Sequence, residues 1–343
     1  KQELIRAVIA EIEAKLTGEE AGLAAGFVRA YYRDVAPADV MSREVQDLYG
    51  AALAHLREAG RRPAGVSKVR VYNPGIAQHG WQSSHTVVEI VNDDMPFLVD
   101  SVAMELSRHG LGMHLVIHPI FAVERDATGR LQWIGDREGA PEGARLESFM
   151  HIEIDRQSDA EVLEGLERDL HRILGDVRKT VEDWQAMRQR VGDVLADLEP
   201  AAGHMPAEDL AEIKAFLEWL ADDHFTFLGY SAYALEGEGE NLLLRRMKGS
   251  GLGILRAHDD GAPSKSFMEM PLAARLRATE PLPAITITKA NTKSTVHRAT
   301  YLDFIGVKRY GPDGRVIGEH RILGLFTSVA YNRSPRFIPL LRR

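Results

Sequence analysis

The chain has 343 residues, 45% hydrophobic and 27% charged, enough for roughly two or three packed domains of ordinary composition. Its net charge of −8 and pI near 5.9 argue against nonspecific binding to DNA or anionic membranes, and no basic stripe with interleaved aromatics occurs. The lack of cysteine excludes disulfides, thiolate zinc sites, iron–sulfur clusters and cysteine nucleophiles. No apolar run approaches the roughly 20 residues that span a bilayer, and the opening KQELIRAVIAEIEAKL is an amphipathic helix without a secretory core. A cytoplasmic protein is expected. The sequence opens on Lys1 and stops at Pro339-Leu-Leu-Arg-Arg without structural punctuation, so it reads as a piece of a longer polypeptide.

Residues 1–62 read as a helical module of three helices. Leu4, Ile5, Val8, Ile9, Ile12 and Leu16 form the first apolar stripe. Phe27 and Tyr31 mark the second helix, and Val45, Leu48, Tyr49, Ala52 and Leu56 the third, after a break at Ala36-Pro37. Residues 63–83 are a linker with one short edge strand at Val69–Tyr72. Residues 84–174 carry the pattern of a split βαββα(β) sandwich. Thr86, Val88 and Ile90 alternate as a strand that Asn92-Asp93-Asp94 interrupts. Either aspartate is placed to cap the next helix, and Pro96 suits its first turn. Leu98, Val99, Val102, Ala103 and Leu106 recur at helical spacing until Gly110. An alternating run from Met113 to Val123 follows, then a turn at Asp126–Gly129, a strand near Trp133, an exposed loop at Gly135–Gly143 and a strand at Phe149–Asp155.

A helix capped by Ser158 or Asp159 then runs to Leu174 and does not stop. Val177, Val181, Trp184, Met187, Val191, Val194 and Leu198 extend it as a connector over 175–204, where such a stripe serves as core, helical hairpin or subunit contact. Residues 205–343 begin with a helix over 207–222 and become strand-rich at 225–235, 242–247, 284–289, 295–310 and 316–328. Gly311-Pro-Asp-Gly314 is a hairpin turn. The fold class is α+β, with no fixed repeat period.

Thirteen histidines raise the question of a metal. His114 and His118 share a strand face about 13 Å apart, too far for one ion. With His85, Glu89, His151 and Glu153 they suggest a polar sheet face, solvated or at an interface, while Met113, Leu115, Ile117, Phe121, Thr86, Val88 and Ile90 pack inward. No metal site is expected. Lys248-Gly-Ser-Gly-Leu-Gly253 begins like a dinucleotide loop, but Ile254 stands where its third glycine belongs, so it reads as a flexible loop. Lys289, Asn291, Lys293, Ser294, His297 and Arg298 form a basic patch that could hold a carboxylate or phosphate, or be a hydrophilic hairpin. The pairs Asp93–Asp94 and Asp222–Asp223 fit caps and turns. No catalytic group stands out, and no nucleic-acid or membrane partner is expected.

The elbow Asp93-Asp-Met-Pro96-Phe-Leu-Val99 resembles the ACT-type regulatory domain, which places an acid, one residue, proline, glycine and two aliphatics between its first strand and helix. The blocks VEIVNDDMPFLVDSV (88–102), SFMHIEID (148–155), LEWLADDHFTFLGY (217–230), KSTVHRATYLDFIGVKRY and GEHRILGLFTS resemble the N-terminal region of the large bacterial NAD-specific glutamate dehydrogenases. This resemblance implies a parent enzyme that deaminates L-glutamate with NAD in a downstream catalytic domain. It also implies a homo-oligomer, an ACT-like domain over 84–174 and a PAS-like one over 205–343. An amino-acid effector would then sit at Asn92, Asp93, Asp94, Met95, Pro96, Phe97 and Leu98. One departure matters: the glycine expected after Pro96 is Phe97, which fills the effector's approach or becomes its lid. The catalytic lysine of these dehydrogenases lies in a glycine-rich segment, and this chain has no Gly-Gly pair, so by itself it should be inactive and hold no cofactor.

Overall fold

In the computed structural model, which describes residues 1–256, 261–332 and 334–342, the apolar stripes of the N-terminal segment become α1 (Gln2–Lys15), α2 (Gly18–Tyr31), α3 (Pro37–Met41) and α4 (Val45–Glu58). Helix α3 was not expected. It is little more than a turn started by Pro37, too short to show a period.

The strands β1 (Lys68–Tyr72), β2 (Thr86–Asp93), β3 (Met113–Ile117), β4 (Ile120–Arg125), β5 (Leu131–Gly135) and β6 (Arg145–Ile154) form one antiparallel sheet in the order β1-β2-β6-β4-β5, with β3 also on β6. A one-turn helix, α5 (Ile76–His79), follows β1, and α6 (Leu98–Arg108) follows β2. The run expected as one strand over 113–123 is two, because the segment breaks at His118-Pro119, where proline lacks a ladder donor. Strand β2 does not stop at Asn92: Asn92 and Asp93 stay in register with Ser148 and Glu147. Helix α6 begins only at Leu98, with Phe97 at its N-cap and no side-chain cap. The N-cap position is thus Phe97 rather than either aspartate, and Pro96 precedes the cap rather than entering the first turn.

A βαββαβ sandwich returns its last strand beside its first. Here the chain enters α7 (Ala160–Leu198), a single helix of 39 residues, and β1, from upstream, occupies the edge next to β2. The expected polar sheet face is also corrected. Val91, Leu115, Ile117, Phe121, Val123 and Phe149 share one apolar core with α1, α2 and α4. By register and alternation, Val87, Glu89, His151 and Glu153 lie on that same face. Glu89, His151 and Glu153 are buried, because the N-terminal helices cover them. Thr86, Val88 and Ile90 face the opposite side and are also buried. Met113, expected inward, is 40% exposed, because the ladder slips by one residue between Met113 and Leu115.

The chain divides into two compact units, Lys1–Gly175 and Asp176–Arg343. In the second, the C-terminal half of α7 and α8 (Ala207–Trp219) supply Met187, Val191, Val194, Leu198, Leu210, Ile213 and Leu217 to a core with the second sheet. That sheet comprises β7 (Phe225–Glu236), β8 (Leu243–Arg246), β9 (Leu252–Gly253), β10 (Ile285–Lys293), β11 (Tyr301–Tyr310) and β12 (Val316–Phe326), in the order β10-β11-β12-β7-β8 with β9 on β7. Short helices α9 (Lys265–Met268), α10 (Leu272–Arg277) and α11 (Ser328–Tyr331) border it. The helix expected to reach 222 ends at Trp219, and Asp222 and Asp223 leave helical geometry in the wide turn that follows. The strand expected from 295 starts at Tyr301, after a loop closed by Ser294 N–H donating to Thr300 O. Gly311–Gly314 is the expected hairpin turn. The fold is α+β, and among the described residues no helix is long and apolar enough to cross a membrane.

Candidate functional site

The elbow between β2 and α6 is built around Arg62, which follows α4 and has only 2% of its side chain exposed. Its Nη2 donates to Asp93 Oδ1 at 2.6 Å and to Glu147 Oε1 at 2.7 Å, while Nη1 donates to Val66 O at 2.9 Å. Arg125 grips both oxygens of Glu147 at 2.7 and 2.8 Å and reaches Ala59 O and Gly129 O with Nη1. Two cations and two carboxylates thus neutralise one another in a largely dry pocket, where removing either partner is far costlier than the pair is worth. A Cβ at Gly129 would strike the Arg62 carbonyl, so the β4–β5 turn can approach only as glycine.

The remaining elbow residues are placed as follows. Asn92 Nδ2 donates to Asp93 O, and Asp94 N–H donates to Leu146 O. Met95 and Phe97 are half-buried, Pro96 is exposed and Leu98 is buried. Phe97 has φ 71°, the left-handed conformation that glycine adopts freely. Phe97 thus holds a left-handed backbone at the position where the ACT-type pattern expects glycine.

Beneath α2–α4 lies a second polar cluster. Arg43 holds Glu153 through two bonds of 2.6 and 2.8 Å, and His151 Nε2 lies 3.6 Å from the same carboxylate. Burial pushes the Glu153 carboxyl up, but the bonds from His151 and Arg43 outweigh it and hold it down to about 2. Glu89 accepts from Tyr72 Oη at 2.9 Å, and burial raises its carboxyl. His55 accepts from Tyr31 Oη at 3.0 Å and donates to Ile90 O at 3.2 Å, and burial drives it down to about 3. The adjoining cavity, lined by Tyr32, Arg43 and His151, is about 10 Å³, room for about one water. It is too small for a metabolite.

In the second unit the basic patch is spread out. Lys289 pairs with Asp303 at 2.7 Å, Lys293 stands over the Tyr301 ring, Ser294 bonds within its own turn, Arg298 donates to Phe326 O, and Asn291 is exposed. These donors do not converge on one point. The loop after Lys248 is pinned by Gly253 N–H donating to Asp183. A buried relay absent from the sequence reading joins Tyr230 Oη to His320 Nδ1 at 2.8 Å, with His320 Nε2 3.0 Å from Asp197, which Arg309 also holds. An apolar groove of about 330 Å³ runs between α8 and residues 282–285.

Sequence reading missed Arg43, Arg62, Arg125, Glu147 and the relay. Each partner lies tens of residues away, and the one available signal was an acid or histidine within an otherwise apolar strand.

Residues 27–170 match the glutamate dehydrogenase ACT1 domain family. The NAD-specific glutamate dehydrogenase of Halomonas elongata is 35% identical over 343 residues, covering 99% of this chain and 21% of its own length. That of Pseudomonas aeruginosa is 37% identical over 316 residues, covering 92% and 19%, and that of Mycobacterium tuberculosis 29% over 297 residues, covering 84% and 16%. The chain thus spans about a fifth of the length of these curated relatives. With an α+β unit over the matched residues and similarity along nearly the whole chain, it belongs to the large NAD-specific glutamate dehydrogenase family, as the N-terminal region that carries the ACT1 domain.

Proposed function

We propose that this chain is the non-catalytic regulatory and assembly segment of an NAD-dependent glutamate dehydrogenase. The whole enzyme converts L-glutamate, NAD and water to 2-oxoglutarate, ammonia and NADH in a catalytic domain farther along the polypeptide. The segment helps hold a homo-oligomer together, and its elbow, Asn92 to Leu98, receives an amino-acid effector. Residues 205–343 act as a PAS-like partner domain.

The observation that supports this reading is the Arg62 bridge. Asp93, at the elbow, is bonded to an arginine that follows α4, so an effector drawing on Asp93 perturbs the helical layer as well as the sheet. Regulation then requires unequal effector affinity for two arrangements of that bridge. Calorimetric titration of the chain with the proteinogenic amino acids tests it, together with the rate response of the full-length enzyme. Heat from at least one amino acid, and an altered response in Phe97→Gly, are expected. No heat from any of them, with an unchanged response in the variant, rejects the elbow site.

A second reading, a scaffold that binds no ligand, is favoured by the same ion pair, since Asp93 is already engaged by Arg62. Deleting 84–174 from the full enzyme separates the two. Loss of the oligomer with an intact effector response supports the scaffold, and the reverse supports the sensor. A stand-alone amino-acid sensor would respond without any downstream domain.

A further inference from the structure

The second sheet ends on two strands of unlike build. Strand β8 is four residues long, carries Arg245 and Arg246, and is bridged at Arg245 by Pro263. Strand β10 has nine residues, and among the described residues it pairs with β11 alone. It keeps unbroken register from Ile285 opposite Val307 to Lys289 opposite Asp303, and shifts only beyond Lys289. Hydrogen-bonded and non-hydrogen-bonded pairs alternate along an antiparallel ladder. Lys308 N–H donates to Ala284 O, so the backbone groups of Thr286 and Thr288 face β11. Those of Ile285 and Ile287 point away from the sheet.

An open edge recruits another strand unless charge, proline, a bulge or shortness blocks it. Strand β10 has none of these over its first four residues. The run Ile-Thr-Ile-Thr is uncharged and β-prone, and Lys289, which follows, is tied to Asp303 at 2.7 Å. The groove of about 330 Å³ opens at the start of this edge, lined by Met205, Ile213, Leu282, Ile285 and Leu340. Ile287 lies on the same sheet face as Ile285. It is 43% exposed although its cross-strand partner Ile305 is fully buried, and Leu282 is 44% exposed. Groove and edge thus make one apolar strip with free backbone donors and acceptors along its side.

Residues 340–342 bring the polypeptide to that strip. Leu340 lines the groove, and its N–H donates to Glu212 Oε2 on α8 at 3.1 Å. Arg342 Nε lies 3.0 Å from both oxygens of Glu212, and its Nη2 lies 2.5 Å from one of them. The chain spans 21% and 19% of the length of its relatives, and the proposed function places further domains downstream; the inference rests on that reading. A segment tethered beside the groove meets it at an effective concentration of about millimolar, ahead of a free partner or a second copy. We infer that the polypeptide directly following Arg343 adds to β10 as a further strand of the second sheet. It hydrogen-bonds the outward backbone of Ile285 and Ile287 and sends every second side chain, apolar, into the groove beside Leu340. Downstream domains are thereby fixed to the second unit rather than hung from a loose linker.

Hydrogen–deuterium exchange tests it, comparing the full-length enzyme with the chain 1–343. The amides of 285–289 should exchange as an open edge in the chain 1–343 and slow by about tenfold or more in the full-length enzyme. Ile287→Lys sets a charge on the strip while keeping every backbone donor, and Ile287→Pro removes one outward donor where an edge strand tolerates proline. In the full-length enzyme each variant should return the Ile285 amide to its open rate, with exchange in β11 and β12 unchanged. Circular dichroism confirms folding, and where one variant disturbs the sheet the other carries the test. Equal exchange in the two unmodified proteins overturns the inference, as does protection that survives both variants. Protection of the chain 1–343 that rises with its concentration, as a dimer forms in sedimentation, overturns it too and gives the edge to a second copy. Protection of β10 in a full-length enzyme whose elbow takes up no amino acid supports the added strand while removing the effector site.

Discussion

Phe97 holds φ 71° at the start of α6, where any residue with a Cβ is strained by about 1–3 kcal/mol. Comparing Phe97→Ala with Phe97→Gly isolates that strain, because both variants lose the ring. The glycine variant should be the more stable by about 1 kcal/mol in urea denaturation. Equal midpoints would show that the backbone relaxes once the ring is gone. Gly50 makes the complementary case: a Cβ there would run into the fully buried Trp81. Gly50→Ala should lower stability by roughly 1–3 kcal/mol, read as a fall in melting temperature. Both positions were visible in the sequence, but only one carried a signal. Phe97 stood where a family pattern has glycine. Gly50 sat in an ordinary helical run, and its partner, 31 residues on, belonged to a segment read as linker.

Between the end of α4 and the elbow, Arg62 and Arg125 face Asp93 and Glu147. Arg62→Met fills similar volume but takes the guanidinium away from Asp93 and from Glu147, which keeps Arg125 on both of its oxygens. The loss should be about 3–5 kcal/mol in denaturant titration, with secondary structure retained at low denaturant. Arg62→Lys should recover only part of it, since an ammonium cannot reproduce the forked geometry. Helices and strands themselves were largely legible, because their periods of 3.6 and 2 residues are local properties. Which sheet face each side chain took was less so. The row Glu89, His151 and Glu153 looked like a polar face, solvated or at an interface, since nothing local announces that helices from the first 60 residues will lie across it. The His118-Pro119 break and the late start of α6 were misjudged for a related reason. Cross-strand pairing with Ser148 and Glu147 held Asn92 and Asp93 in β2 against their turn preference.

Each of the two units contains a buried neutral histidine, so acid should destabilise both. Burial lowers His320 from 6.5 to about 4 and His55 from 6.5 to about 3. The unfolded chain takes up these protons first. The stabilisation is therefore complete above about pH 6.5 and is lost as pH falls toward 4 and 3. For His320 this amounts to about 3 kcal/mol across the window. Glu153, held down to about 2, adds a loss of the same sign between its ordinary range and pH 2. Stability measured from pH 8 to 4 should show this slope, and His320→Gln should flatten it. An unchanged slope in the variant would place the proton uptake elsewhere. Composition and periodicity alone were enough to establish an acidic, cysteine-free α+β chain, with a long helix running through Gly175 and an aspartate–proline elbow, because these depend on neighbours within a few turns. The upstream strand at the sheet's edge, the arginine bridge at the elbow, the burial of the glutamate–histidine row and the groove shared by α8, Leu282 and Leu340 emerged only from the folded chain. Each is a meeting of residues remote in sequence, and desolvation and register, rather than local preference, govern which groups end up facing one another.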